Sequence, residues 1–390
     1  MNNFPQNNLQ KSLLLGVVLL TSQVFAQEAK MKSASNATFS DYQSGVSRVE
    51  KNDKVNFVNR KGNDVSAIKY DNAYDMSEGL AAVQKNSKWG FVDKNGKETI
   101  EFKFDEVQNF SQSLAAVKIG EKWGFIDKKG KEKIVIQYED ALSFSEGLTF
   151  VKKNNKWGVI DNQNRFIVSP QFNKAENFSE GLACVAIEGK YGFINKKGVQ
   201  VIPMHYKSAR SFSEGRAAVK TDKKKWGFID KNDALIVSDM FDEVDNFTEG
   251  LSAIRSQRKW GVVDIAGNVV IPPTKYDFID GLSEGMMVVC INNKFGIVDR
   301  SGKEIVAIKY DNIWGFSEGV ARVGANNKYG FVDKSGEEII PLIYDNAYSF
   351  SEGMARISIF GRNGFVNKKG KEVFQENQVF SKGELTKVNK

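Results

Sequence analysis

With one histidine, His205, and two cysteines, Cys184 and Cys290, among 390 residues, the chain lacks the material of the commonest catalytic and metal sites. One histidine and two cysteines 106 residues apart do not assemble a His/Cys metal centre. His205 stands at a recurring place beside Tyr206, where a packing or solvent-facing role fits better than general-base duty. No glycine motif follows a strand and opens a helix to cradle phosphate, and no nucleophile elbow is present. Helical spacing of apolar residues is missing, and so are long hydrophobic runs. The unbroken apolar run Leu13 to Leu20 has eight residues, against the ~20 that span a bilayer. Neither sign of charge dominates: 55 basic and 48 acidic residues are interspersed. That pattern suits a solvated, salt-bridged surface and argues against a nucleic-acid stripe.

The beginning of the chain has one basic residue, Lys11, then that apolar run, then Val24-Phe25-Ala26 before Gln27. This order predicts a secretory signal peptide over residues 1–26, a short polar linker over 27–40, and a repeat array over 41–390. Export follows as the expectation: periplasmic, secreted or held at the cell surface, with no transmembrane segment and no lipid attachment at Gln27. The two cysteines lie in different repeats, farther apart than the ~7 Å between Cα atoms that a disulfide allows, so both are expected as free thiols.

What the sequence has in abundance is repetition. Trp89-Gly90, Trp123-Gly124, Trp157-Gly158, Tyr191-Gly192, Trp226-Gly227, Trp260-Gly261, Phe295-Gly296 and Tyr329-Gly330 follow one another at steps of 34 or 35 residues. The same step reaches Val55-Asn56 at one end and Asn363-Gly364 at the other, giving about ten units, and Phe380 to Gly383 starts a truncated eleventh. Each unit opens on a turn, Ser-Glu-Gly in most copies (Ser77 to Gly79, Ser145 to Gly147, Ser351 to Gly353). A short run such as Leu80-Ala81-Ala82-Val83 then alternates like a strand, and Lys-Trp-Gly-Phe-Ile-Asp forms the next. Four residues into the following turn stands Gly62, Gly96, Gly130, Gly198, Gly267, Gly302, Gly336 or Gly370, with Asn164 and Asp233 in the other copies. Those residue types tolerate the left-handed region, which marks a tight hairpin turn. A third short strand such as Glu338-Ile339-Ile340 ends on an aromatic-acid pair, Tyr344-Asp345.

Units of two or three short strands cannot stand alone but can share a spine when stacked. The expectation is therefore an all-β, open repeat array, a β-solenoid or superhelix of stacked hairpins or meanders with about ten 34-residue units. The alternative is a closed β-propeller, disfavoured because a blade needs four strands and usually about 40 to 50 residues. The Lys-Trp-Gly-Phe-Ile-Asp cores, Ser-Glu-Gly starts and Tyr-Asp ends together resemble the bacterial WG-repeat (KWG-repeat) family of exported proteins, over almost the whole chain after residue 26. The resemblance implies an architecture and no reaction or fixed ligand. Asn56, Tyr191, Phe295, Tyr329 and Asn363 depart from tryptophan at or beside the central site.

The recurring residues read as structural. Trp89, Trp123, Trp157, Trp226 and Trp260 are expected as core residues packed where the neighbouring glycine leaves room, rather than as sugar platforms. The basic residue before the ring, Lys54, Lys88, Lys122, Lys156, Lys190, Lys225, Lys259, Lys294, Lys328 or Arg362, is expected to pair with the start-turn glutamate (Glu78, Glu146, Glu180) and with an acid after the strand. Asp93, Asp127, Asp161, Asp230, Asp264, Asp299 and Asp333 are expected to shape turns rather than hold calcium. Function is then expected where the repeat is broken, and Arg322, Arg356, Phe150, Val288 and Cys290, at places usually held by smaller residues, are the distinctive surface candidates. The functional expectation is a non-catalytic extracytoplasmic binding or scaffold module for a protein or a cell-envelope polysaccharide, without catalytic residues, metal or cofactor. The alternative is an exported hydrolase with a site in a groove between repeats, although every acid here has counterparts in other units and a catalytic pair should be unique.

Overall fold

The computed structural model describes residues 38–374 apart from 40–43, 52–53, 60–62 and 67–68. The segment read as a signal peptide, the eleventh start at Phe380 and Gly62 lie outside the described residues. Among the described residues there is no helix. These residues form ten antiparallel sheets in series, and in each the strand order follows the chain. Nine have four strands, as in Asn72–Ala73, Leu80–Lys85, Lys88–Asp93 and Glu98–Phe104 of the second unit. The sequence led us to expect two or three strands per unit. The additional strand is the two-residue piece after the aromatic-acid pair, too short to show a period. The first sheet has three strands, Thr38–Phe39, Val46–Lys51 and Lys54–Asn59, with isolated bridges from Val55 to Tyr70 and Val58 to Asp64 where the others carry a fourth. Thr38–Phe39 falls within the stretch read as linker, so the array begins slightly before residue 41.

Alternation explains how the sheets pack. In the second strand, Leu80 and Ala82 face the next sheet; Ala81 and Val83 face the previous one. Both faces of the two middle strands are covered, so Leu80, Ala81, Ala82 and Val83 are all buried. Between the second and third units, Leu80, Trp89 and Phe91 meet Val107, Phe110, Ala115, Val117 and Ile126 of the neighbour. Each Val, Leu, Ile or Phe side chain among them contributes about 1.5–3 kcal/mol when fully buried. The core is thus a series of layers between sheets, one per junction.

The array returns on itself. Val49 and Val58 of the first sheet pack with Phe365 and Met354 of the last, and the Gly45 amide donates to the Glu352 carboxylate at 2.9 Å. The sheets stay open, since among the described residues no ladder joins one to the next and no closed barrel forms. The expected array of separate stacked sheets is therefore present, with an end-to-end contact of the kind the closed alternative requires.

The glycine after the central ring has a different reason from the one expected. Trp123 pairs with Tyr138, and Phe125 pairs with Ile134, so the fourth strand bulges between them. A Cβ on Gly124 would lie 2.6 Å from the Ile134 carbonyl oxygen and 2.7 Å from the Ile136 Cα. The space left by the absent side chain is filled by the backbone of the fourth strand, not by a ring. Trp89 and Trp123 are buried, whereas Trp157, Trp226 and Trp260 are half-buried at the rim of their layers.

Candidate functional site

The residues that recur are consumed in holding units together. At the opening turn both Glu78 (φ 50°) and Gly79 (φ 86°) are left-handed, an unfavourable place for glutamate. Its carboxylate repays the strain across the junction, accepting the Ser113 amide at 3.0 Å and facing Lys128 at 3.0 Å. The same link runs from Glu180 to Gly215 and Lys231, from Glu284 to Gly319 and Lys334, and from Glu318 to Gly353 and Lys368. Glu352 to Gly45 is the copy that joins the ends. Beside it the Ser77 hydroxyl donates to the Phe110 carbonyl at 2.8 Å, and Ser317 to that of Phe350 at 2.7 Å.

The lysines therefore have other partners than the start-turn glutamates. Lys88 meets Asp105 at 2.5 Å, Lys294 meets Asp311 at 2.6 Å, and Lys54 and Lys225 meet Asp71 and Asp242. The other oxygen of Asp105 accepts the Gly120 amide of the following unit at 2.7 Å, making this aspartate a second inter-unit link. The Lys88 bond and then the Gly120 amide hold the Asp105 carboxyl below the usual carboxylate range. At Glu78 burial pushes upward, but Lys128 and the Ser113 amide outweigh it and the carboxyl is lowered. Asp93, Asp127 and Asp333 shape their turns, each accepting two backbone amides. His205 is half-exposed, 3.7 Å from Asp233 and against the Tyr206 ring.

The places where units differ share one register position. Phe150, Val288, Arg322 and Arg356 all occupy the third position of their second strands, opposite Val159, Ile297, Phe331 and Phe365. Contrary to expectation none is a surface residue: Phe150 is 0%, Val288 3%, Arg322 7% and Arg356 9% exposed, because this position faces the next sheet. Cys290 is buried too, as is Cys184, and both are free thiols. Arg48 holds the equivalent place in the first unit, opposite Phe57. Backbone bonds tie this position to the residue after the first strand, as from the Trp314 amide to the Arg322 carbonyl at 3.0 Å.

In the last two units this place builds a ladder. The Arg322 guanidinium lies 3.2 Å from the centroid of the Trp314 ring and 5.4 Å from that of Tyr348, and Arg356 lies 3.1 Å from Tyr348. At 3.1–3.2 Å only a flat stack fits, which favours arginine over lysine. Arg322 also donates to the Ala347 carbonyl of the next unit. In the first unit Arg48 pairs with Asp75 at 3.2 Å. Both Trp314 and Tyr348 are half-buried. In the seventh and eighth units, Asp245 and Asp280 line a shallow hollow, where burial raises the Asp245 carboxyl and Arg210 opposes that rise. Sequence reasoning missed Trp314 and Arg48. Trp314 carries a usable signal, being the tryptophan outside the ring-Gly frame.

A family model described as WG containing repeat matches nine consecutive segments from residue 57 to residue 359. No curated protein sequence matches the chain. Among solved structures the chain is similar to a eukaryotic initiation factor, at 13% identity and a TM-score of 0.52, covering 73% of this chain and 92% of that one. It is also similar to BamB from Moraxella catarrhalis, at 9% identity and a TM-score of 0.38, over 65% of this chain and 88% of that one. The first is a likeness of fold alone.

Proposed function

Taking as premise that the chain belongs to the WG-repeat family, we propose that it is a non-catalytic binding or scaffold module acting outside the cytoplasm on a protein or a cell-envelope polysaccharide. One observation carries this reading. The recurrent Lys, Asp, Glu and Ser side chains are spent on links within and between units. Two linked positions vary from unit to unit, the third of the second strand and the residue after the first, and in the ninth and tenth units they bring arginines onto aromatic rings. A uniform frame carrying varied positions suits recognition, and function resides in such a site rather than in the fold.

Two experiments test it. Mature protein recovered from the producing cell should begin at Gln27 and lie in the envelope or medium; full-length protein in the cytoplasm contradicts export. Immobilised protein should retain a defined envelope component without altering it. Turnover of an envelope glycan or peptide, abolished by one carboxylate substitution, contradicts the non-catalytic reading.

A further inference from the structure

We propose that the outer strand of the sixth unit, Leu235–Phe241, takes up an extended segment of a partner protein as a fifth, antiparallel strand; this deepens the binding function proposed above and rests on it. The fourth strand of each sheet has no ladder on its far side among the described residues, so its outward amides and carbonyls are open to pairing. Proteins guard such edges with proline or charge. Among the outer strands of the second to ninth units, every other one is guarded: by proline in the fourth, fifth, seventh and ninth, and by an exposed glutamate in the second, third and eighth. The sixth has neither. Its first place, glutamate in the second, third, eighth and ninth units, is Leu235, 49% exposed, and Met240 is 59% exposed. Its one charge, Asp239, is spent inward, accepting the Thr221 hydroxyl at 2.7 Å and meeting Lys223 at 2.9 Å.

The same unit breaks the repeat beside this edge. Its middle strands, Ala217–Lys220 and Trp226–Ile229, have four residues where those of the second unit have six. Trp226 pairs with Phe241, so the turn between the middle strands lies at the Phe241 end of the outer strand. There Lys190 and Lys207 share Asp222, and Lys223 and Lys224 are exposed. Four lysines against Asp222 and Asp239 leave that end positive. An antiparallel strand begins there, so the arriving segment carries an acidic residue at its N-terminal end and apolar side chains over Leu235 and Met240. Ser238 has no partner in the register with the third strand, and its place is held by proline at Pro203, Pro272 and Pro341. The inner ladder therefore does not use the amide at this place, which leaves that of Ser238 for an added strand. A polysaccharide has no amides with which to continue the ladder.

The test adds the dye-labelled, end-blocked peptide Glu-Val-Thr-Val-Thr-Val-Thr to the full mature chain, beside a copy N-methylated at alternate residues and a copy starting with Lys, reading anisotropy and amide hydrogen exchange. The expected result is binding that slows exchange in Leu235–Phe241, weakened roughly tenfold or more by methylation and roughly threefold by the lysine. Ser238→Pro should abolish binding at an unchanged melting midpoint, since three other units already hold proline there. If it fails to fold, Leu235→Glu, which installs the glutamate of other units, should weaken binding and decides. Absence of binding at about 1 mM peptide, equal binding of the methylated or the lysine copy, or affinity untouched in Ser238→Pro overturns the proposal. A concentration-dependent dimer that Ser238→Pro abolishes overturns it in favour of a second copy as the occupant. An envelope component retained equally by the parent and Ser238→Pro overturns it while leaving the binding function in place, whereas a chain that binds neither peptide nor any envelope component loses both.

Discussion

The junction between the fourth and fifth units and the junction between the ninth and tenth share their links and differ most at the third position of the second strand. Ser145 and Ser317 donate to the carbonyls of Phe178 and Phe350, and Glu146 and Glu318 accept the amides of Gly181 and Gly353. At the third position of the second strand the first junction has Phe150, 5.6 Å from the Phe178 ring and 6.5 Å from that of Phe172. The second has Arg322 among Trp314, Tyr329 and Tyr348. The difference teaches that frame and content are separable. Polar links with fixed partners set the spacing of units, and the layer between them accepts alanine, phenylalanine or a stacked arginine.

The largest effect on that comparison should come from emptying the apolar layer. Phe150→Ala should lower stability by about 3–5 kcal/mol through lost burial and a cavity, read by chemical denaturation. Next comes the frame's own tight contact: Gly124→Ala should destabilise by about 1–3 kcal/mol, since the Ile134 carbonyl and Ile136 backbone must move. A loss as small as that of an exposed substitution contradicts the bulge account.

Acid acts on several junctions at once. The carboxyls of Asp105, Asp311 and Glu284 are lowered in the folded chain: Lys88 and Lys294 lead at the aspartates, and at Glu284 burial pushes upward but Lys334 and the Gly319 amide together outweigh it. A lowered folded-state value gives stability that is present above the ordinary value and lost as pH falls through the folded one. Melting midpoints should therefore hold from pH 7 to 5 and fall below the ordinary carboxyl values of 4.5 and 3.8. A midpoint unchanged at pH 3 contradicts the role given to these links. The smallest effect belongs to a single exposed pair, where Lys294→Met should change stability by only ~0–1 kcal/mol.

Much of this frame was legible in the sequence. The repeat, the turn glycines and their substitutes were readable because one chemistry explains them: Asn164 and Asp233 sit at φ 64° and 66°, where the other units have glycine. The strand Asn72–Ala73 was not, since two residues show no period. Nor was the bulge over Gly124, which exists only in the pairing of two strands. The contact of Glu352 with Gly45 spans 307 residues and leaves no local trace. At the site, Arg322, Arg356, Phe150 and Val288 were identified as departures, but their burial depends on which face of the strand meets the next sheet. Arg48 was hidden in a degenerate first unit, although the register places it with the other two arginines.

The central claim is that the recurrent polar side chains hold the array in register while the layer between units accepts different side chains. The most direct measurement compares the parent with the triple variant Asp105→Asn, Glu284→Gln, Asp311→Asn by urea denaturation at pH 7 and pH 3. The account expects the variant to be less stable than the parent at pH 7 and close to it at pH 3, because the lowered carboxyls of those residues carry stability that acid removes. Equal stability of the two at pH 7 would contradict it.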